Sequence, residues 1–392
     1  MKIVIAPDSF KGSVPSTSAA AKIEDGIKQE NSDIETIKIP VADGGEGTVE
    51  AFLTFMNGER VIEWVEDPLG RSIEAAYGWI EESKTAIIET ASASGLPLLS
   101  ETEKNPLKAS TFGTGQLVKS ALKRGAKKIL IGLGGSATVD AGTGFLQALG
   151  VKFYDENHQP LKGCGDCLGN VQSIDCSQLY QNLHEVEITI ASDVTNPLLG
   201  KNGAVYVFGP QKGIQNEKLE EFEKNMEHYA SVVNRTVSKN EIDSPGSGAA
   251  GGFGYSLQSF LKVEMRSGFE LIAEASNLEH HIKTADIVIT GEGKFDTQSL
   301  NGKAPVGIAR IAAKYHVPVV VFTGQFEGDM SSLKQEGIHL VSPIVDQVMT
   351  LNDSMGTGEE LLERAARRLM KAIELGRITN NSGFKVINTL KI

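Results

Sequence analysis

The chain has 392 residues, a length that predicts about two domains rather than one hydrophobic core. Its formal charge of −12 argues against nucleic acid as the main partner, because phosphate contacts need clustered Lys and Arg. Three cysteines (Cys164, Cys167, Cys176) fit a reducing compartment, and the opening "MKIVIAPDSF" has no basic leader and no long apolar run, so the expected location is the cytoplasm, without a membrane partner.

Lys2–Ala6 reads as a short buried strand, followed by a loop at Pro7–Ser13. A helix is predicted from Pro15 to Lys28, with Ser13 as its N-cap. Ile34–Ile39 is a second strand ending in the glycine–acid loop "PVADGGEGT", and Thr48–Met56 is a second helix. The stretch "RVIEWVEDPLGRSIEAAYGWI" alternates around "DPLG", which is hairpin chemistry. "KKILIGLGG" is a strand running into a bare glycine loop, with a helix expected from Thr138, and "VKFYDENHQPLKG" is another hairpin. The apolar run "VEITIAS" leads into "SDVTNPLLG", and "PGSGAAGGFG" precedes a further helix. Strand–helix alternation then returns: strand Asp286–Thr290, helix Ala304–Tyr315, strand Val317–Gly324, short helix Ser331–Glu336, strand "GIHLVSP", long helix Gly358–Leu375.

Alternation at both ends predicts a parallel sheet with helices on both faces, a flavodoxin/Rossmann-like α/β arrangement. The expected organisation is a discontinuous parallel α/β domain, residues 1–58 and 284–392, with an inserted α/β domain, residues 59–283, and an active site in the cleft between them.

Open α/β sheets bind ligands beyond the carboxyl ends of their strands. Three predicted strand ends combine glycines with charge: Asp8 near Lys11, Asp43 with Glu46, and Glu292 with Lys294 and Asp296. If these loops share one edge, the cluster suits a divalent metal and an anionic substrate, since Mg²⁺ takes one or two carboxylates plus phosphate oxygens. The same residue types also serve as N-caps and turns. In "IGLGGSATVDAG", Ile131–Gly142, a strand followed by glycines and a helix start forms a nest of N–H groups suited to an anion; Gly134, Gly135, Ser136 and Asp140 are its candidates. A dinucleotide fingerprint competes, with Gly132, Gly134, Ala137 and then Asp155, although the hairpin after Asp155 and the loosening "DAGTG" speak against it. A glycine turn with close packing is the third reading. Gly248 and Gly251, in the second bare loop, suit another anion, the adenine plane, or tight helix packing. Asp193 ends an apolar run, and Lys201 and Lys212 could add positive charge. No P-loop, G-x-S-x-G elbow or H-E-x-x-H is present, and the pair Cys164/Cys167 has no second pair to complete a zinc site.

The blocks "APDSFKG", "PVADGGEGT", "STFGTGQL", "GLGGSATVDAGTG", "SDVTNPLLG", "FGPQKG", "GSGAAGGFG" and "ITGEGKFDTQSLNGKAP", in order along nearly the whole chain, closely resemble the bacterial glycerate kinase family, type I. The resemblance implies ATP-dependent phosphorylation of D-glycerate with Mg²⁺, giving 2-phosphoglycerate, in a two-domain α/β protein. Within that frame Asp296 is the leading candidate to accept or orient the glycerate hydroxyl proton, and Asp193 is its rival. Asp193, Asp43 and Glu292 are candidate metal ligands. Asp8, Asp43, Glu46 and Arg71 are candidate substrate contacts, and Lys11 and Lys294 would neutralise phosphoryl or carboxylate charge. Arg71 is equally a solvated hairpin residue. The alternatives are phosphorylation at the 3-hydroxyl or of another small hydroxy acid, a nicotinamide-dependent hydroxy-acid oxidoreductase, and an organic-acid sensor.

Overall fold

A computed structural model of the chain describes residues 1–296, 304–328 and 333–381. Their strands, in chain order, are β1 (Lys2–Pro7), β2 (Glu35–Lys38), β3 (Glu59–Glu66), β4 (Ser72–Ile80), β5 (Thr85–Glu89), β6 (Lys128–Gly132), β7 (Lys152–Tyr154), β8 (Pro160–Leu161), β9 (Ser173–Asp175), β10 (Glu187–Ala191), β11 (Val263–Arg266), β12 (Ile287–Phe295), β13 (Val319–Phe326) and β14 (Ile338–Pro343). The chain divides into two compact units, Met1–Val41 with Ser276–Ile392, and Ala42–Ala275.

The first unit is built on a five-stranded sheet of order β14-β13-β12-β1-β2, parallel throughout. Numbered within the unit this is the flavodoxin-like order 2-1-3-4-5, and its switch point falls between β1 and β12. β1 is buried from Ile3 onward, as expected of a strand covered on both faces. Helices Ser16–Glu30 and Gly358–Asn381 bring Ala19, Ile23, Ile27, Leu361, Leu362 and Ala365 into its core.

Three details differ from the sequence reading. Ser13 does not cap the first helix: Pro15 stands at the cap position, and the Ser13 hydroxyl donates to the Met355 carbonyl at 2.6 Å. β12 runs on to Phe295 instead of stopping at Thr290, because Glu292 and Lys294 continue the pairing with Thr323 and Gln325 of β13. Of the short helix expected over Ser331–Glu336, residues 331–332 lie outside the described residues, and Lys334–Glu336 forms a single 3₁₀ turn.

The second unit carries a six-stranded sheet of order β11-β10-β6-β5-β4-β3. β5, β6, β10 and β11 are mutually parallel, and β3–β4 is the hairpin around "DPLG", paired from Glu59↔Trp79 to Glu66↔Ser72. A small antiparallel sheet, β8-β7-β9, contains the second hairpin. The core gathers Tyr77, Trp79, Phe145, Tyr229, Phe253 and Tyr255, with Phe145 and Phe253 rings 4.8 Å apart between centroids. Both units are thus mixed α/β with parallel strands at their centre, the class expected from the sequence.

Candidate active site

Within the second unit the carboxyl ends of four parallel strands stand level. Glu89 of β5 pairs with Gly132 of β6, Gly132 with Ala191 of β10, and Ala191 with Arg266 of β11. The loops that leave this row carry the chemistry. After Gly132 the chain enters "LGGS", where the Leu133 amide donates to the Ala191 carbonyl at 3.1 Å and the Gly134 amide to the Gly44 carbonyl at 3.1 Å. A methyl group on Gly134 would stand 2.5 Å from the Gly45 Cα, and one on Gly132 only 2.3 Å from the Gly44 oxygen. Two glycine loops therefore meet backbone to backbone, which is possible only where neither carries a side chain. Gly135, at φ +74°, is the exposed tip, and Ser136 behind it is buried.

This places Asp43 and Glu46 differently from the expected arrangement. Their loop falls in the second unit, against Ala191, Gly134 and Gly268, immediately after the Val41 amide donates to the Pro7 carbonyl at 3.0 Å at the end of β1. The Asp43 carboxylate accepts the Gly45 amide at 3.1 Å, and Glu46 is exposed. The loop ends at the helix Thr48–Phe55, whose Val49 amide donates to the buried carboxylate of Glu89 at 2.7 Å. Burial pushes Glu89 up to about 7; the Val49 amide opposes this, and the negative charge of Glu50 adds to it.

Asp193 follows β10. Its Oδ1 accepts the Gly268 amide at 3.1 Å, at the start of helix Gly268–Ala275. Burial pushes the carboxyl up to about 6 and the charge of Asp43 pushes it further, while the Ser267 hydroxyl and the Gly268 amide act the other way. Oδ2 nonetheless meets no donor at hydrogen-bonding geometry among the described residues. A buried oxygen with no partner, beside a second carboxylate, is a donor set for a hard cation. Among the described residues no three His, Cys, Asp or Glu side chains are grouped to hold a metal alone. A site of two carboxylates completed by phosphate oxygens matches the habit of Mg²⁺.

The region behind the glycine loop differs from expectation. The helix predicted from Thr138 starts at Thr143 instead, because Ala141 (φ +48°) and Gly142 (φ +75°) are both left-handed and break the turn before it. Asp140 is fully buried, and its carboxylate receives the Thr111 amide and hydroxyl (2.8 and 2.7 Å) and the amides of Gly142 and Gly144 (3.1 and 3.2 Å). With those donors it anchors the loop internally. Gly248 and Gly251 are also buried: a methyl group on Gly248 would stand 2.2 Å from the Pro197 oxygen, and one on Gly251 2.1 Å from the Thr138 oxygen. Both are close-packing positions. The Arg71 guanidinium is held by Asp67, by Glu103 at 2.6 Å and by the Leu98 carbonyl at 3.3 Å, so it closes its own hairpin.

Two groups stand inside the site that sequence reasoning passed over or, for Lys212, offered only as a source of positive charge. Glu89 is one; the only mark of it is an acid closing the apolar strand "TAIIE". Lys212, in "FGPQKG", is the other. It is buried, and its Nζ donates to Ser136 Oγ at 2.7 Å and to the Thr138 carbonyl at 2.9 Å. Nothing in a loop lysine announces burial, although the Pro and Gly around it fix the backbone that delivers it.

The first unit has its own row of charge at the switch point between β1 and β12. The Asp8 amide donates to the Gly291 carbonyl at 2.8 Å, and the buried Asp8 carboxylate accepts the Ser9 amide at 2.6 Å. Glu292 is buried on β12, and the exposed Lys11 follows Asp8. Lys294 Nζ lies 2.9 Å from Glu327 and 3.7 Å from Asp296, and these acids raise its pKa, Glu327 first. The rest of this sequence block, residues 297–303, lies outside the described residues.

The dinucleotide alternative loses its second half. Asp155 caps a hairpin turn, accepting the amides of Asn157 and Gln159 at 2.9 and 2.8 Å, where a nucleotide fold would need a strand end after a crossover. Cys164 and Cys167 are free thiols, and burial pushes Cys167 up to about 12, far from a reactive thiolate.

Glycine loops, inward amides and acids along the carboxyl edge of parallel strands are the equipment of a small-molecule kinase. A sequence model of the glycerate kinase family matches residues 3–374. The Escherichia coli (strain K12) protein named glycerate 2-kinase is 43% identical over 376 residues, 96% of this chain and 99% of that one. The Bacillus subtilis (strain 168) glycerate kinase is 41% identical over 377 residues, again 96% and 99% of the two chains. A crystal structure assigned as glycerate kinase 2 of Salmonella typhimurium LT2 is similar with a TM-score of 0.81 and 40% identity, covering 96% of this chain and 99% of that one. The chain belongs to the glycerate kinase family and is a kinase.

Proposed function

We propose that the protein transfers the γ-phosphoryl group of ATP to the 2-hydroxyl of D-glycerate, giving 2-phosphoglycerate and ADP, with Mg²⁺ as its metal. The observation that carries this reading is the buried, partnerless Oδ2 of Asp193 beside Asp43, on the same strand-end row as the glycine loop. The substrate follows the names of the relatives, and the position follows that of the Escherichia coli protein alone.

Phosphoryl transfer asks a protein for positioning and charge more than for covalent chemistry. The amide of Gly135 and the hydroxyl of Ser136 cradle the phosphates, the Gly134 amide being spent on the Gly44 carbonyl, and Asp193 and Asp43 would hold the metal ion. When bound, magnesium offsets negative charge on the phosphate oxygens. In the first unit Asp296 accepts the proton of the attacking glycerate hydroxyl, with the Lys294 amine 3.7 Å away. Lys11 and Lys294 face the acid's carboxylate and the transferred group, and Asp8 and Glu292 bind the remaining hydroxyl. Glu46 is an outer contact of the metal loop. Asp140, Gly248, Gly251 and Arg71 act on the fold. Among the described residues no helix is long and apolar enough to cross a membrane, and a cytoplasmic place belongs to this proposal.

The test is ADP release from Mg-ATP and D-glycerate in a coupled assay, with phosphorus NMR of the product. Glycerate-dependent release with a 2-phosphoglycerate signal is expected. A 3-phosphoglycerate signal overturns the position, and release no faster than with ATP alone overturns the activity.

A further inference from the structure

A lysine buried in a protein core is a liability unless something compensates its charge. Lys212 sits behind the glycine loop with its amine on Ser136 and on the Thr138 carbonyl. Among the described residues the charge acting on it is that of Asp140, and that carboxylate is spent on Thr111, Gly142 and Gly144 without touching the lysine. Ser136 Oγ uses a lone pair to accept from Lys212, which leaves its own proton free to point away, and no acceptor for that proton stands among the described residues. A buried cation, the Ser136 hydroxyl that accepts from it, and the Gly135 amide at the exposed tip form a layered anion site whose inner cation is in no ion pair with a carboxylate among the described residues.

We infer that Lys212 is the buried cation of this loop: it positions the Ser136 hydroxyl toward the phosphates of the nucleotide, and its amine takes up one proton from solvent as those phosphates arrive. The inference rests on the reading that the loop holds ATP. It makes Lys212 a positioning residue, since Ser136 and the backbone stand between it and the ligand. Burial pulls the ammonium down to about 7, with Asp140 opposing, so above neutral pH the free enzyme holds mostly amine there. An arriving polyanion restores the ammonium, and the attraction across a dry loop is far stronger than in water.

The experiment is calorimetric titration of the full-length protein with AMP-PNP and magnesium, at pH 8 and pH 6, in pairs of buffers of different ionisation enthalpy. The nucleotide phosphates are already ionised at pH 8, so a buffer-dependent heat reports the protein. Wild type is expected to take up about 0.5–1 proton per site at pH 8 and far less at pH 6, where the lysine is already charged. Lys212→Met should abolish the uptake and raise the KM for ATP about tenfold or more, with a smaller fall in kcat. Ser136→Ala should weaken nucleotide binding while the protein still folds. Tight binding by wild type without proton uptake overturns the inference and leaves the kinase reading standing, as does Lys212→Met with wild-type uptake. Should Lys212→Met fail to fold, the wild-type contrast between the two pH values decides alone. A wild type that binds no AMP-PNP removes the reading beneath the inference and the inference with it.

Discussion

Gly134 and Gly44 are joined backbone to backbone: the amide of one donates to the carbonyl of the other at 3.1 Å, with no room for a side chain on either strand-end loop. This contact sets the distance between the glycine loop and the acid loop, and so between phosphate donors and metal ligands. Gly134→Ala places a methyl group 2.5 Å from the Gly45 Cα and 2.9 Å from its amide nitrogen, so backbone must move. We expect a loss of about 1–3 kcal/mol in a denaturant melt, and a fall in kcat/KM for ATP of roughly tenfold or more from loop displacement alone. A variant with wild-type melting and wild-type ATP kinetics removes this contact from the argument.

Asp193→Asn separates function from fold. The carboxyl is raised to about 6 chiefly by burial, so at pH 8 it is ionised, at a cost to the fold. The amide keeps the acceptor for Gly268 and drops the charge. Thermal stability at pH 8 should hold or rise, while kcat falls about 10²–10⁴-fold and the apparent magnesium requirement increases. Lower stability together with unchanged turnover would make Asp193 a structural acid.

Asp296→Asn tests the proton acceptor. A group acting on the hydroxyl only in the transition state should cost about 10²–10⁴ in kcat with a modest change in KM. Steady-state kinetics at saturating Mg-ATP decide it, and near-normal turnover moves the role to Asp193.

Glu89 writes a pH slope into stability. Its folded pKa lies above the ordinary glutamate value, so the folded state holds the proton more tightly than the unfolded chain does. Its favourable contribution is therefore complete below about pH 4.5 and is lost as pH rises through about 7. The loss is on the order of 3 kcal/mol. Glu89→Gln retains an acceptor for the Val49 amide and cannot ionise. Melts of both proteins from pH 5 to 8 should show the variant gaining on wild type as pH rises; parallel curves would contradict the shift.

Arg71→Met checks a residue that the hairpin sequence offered as a carboxylate clamp. Its three partners are internal, and the carboxylate of Asp67 beneath it is almost fully buried. Melting should fall because Asp67 loses its counter-charge, and the KM for glycerate should stay within about twofold. A large rise in that KM would return Arg71 to the substrate.

Where burial writes a pattern into the chain, the sequence can be read. Ile3–Ala6 and Val319–Val321 are unbroken apolar runs because their strands are covered on both faces, and β3–β4 alternates around "DPLG" because one face is open. The acids Asp8 and Asp193, just past the ends of β1 and β10, follow from the same logic. What escaped reading depends on partners far along the chain. Whether Asp43 joins one sheet or the other is decided by Ala191 and Gly268, and Asp140 becomes an internal anchor only because Thr111 comes to meet it. β12 passes its expected end because β13 offers matching positions up to Phe326. Lys212 is the extreme case, since its burial is visible only once Ser136 is beside it.

The pairing of β1 with β12, Ile3 opposite Ile287, has a consequence for birth on the ribosome. The amino-terminal strand is made first, yet its neighbour at the centre of the sheet emerges only after the whole of Ala42–Ala275. At about 5–20 residues per second, Ile3, Val4 and Ile5 wait on the order of tens of seconds without the strand that buries them. The nascent chain thus completes its later-starting unit while an apolar segment hangs ahead of it, and that segment is where a chaperone would find a handle.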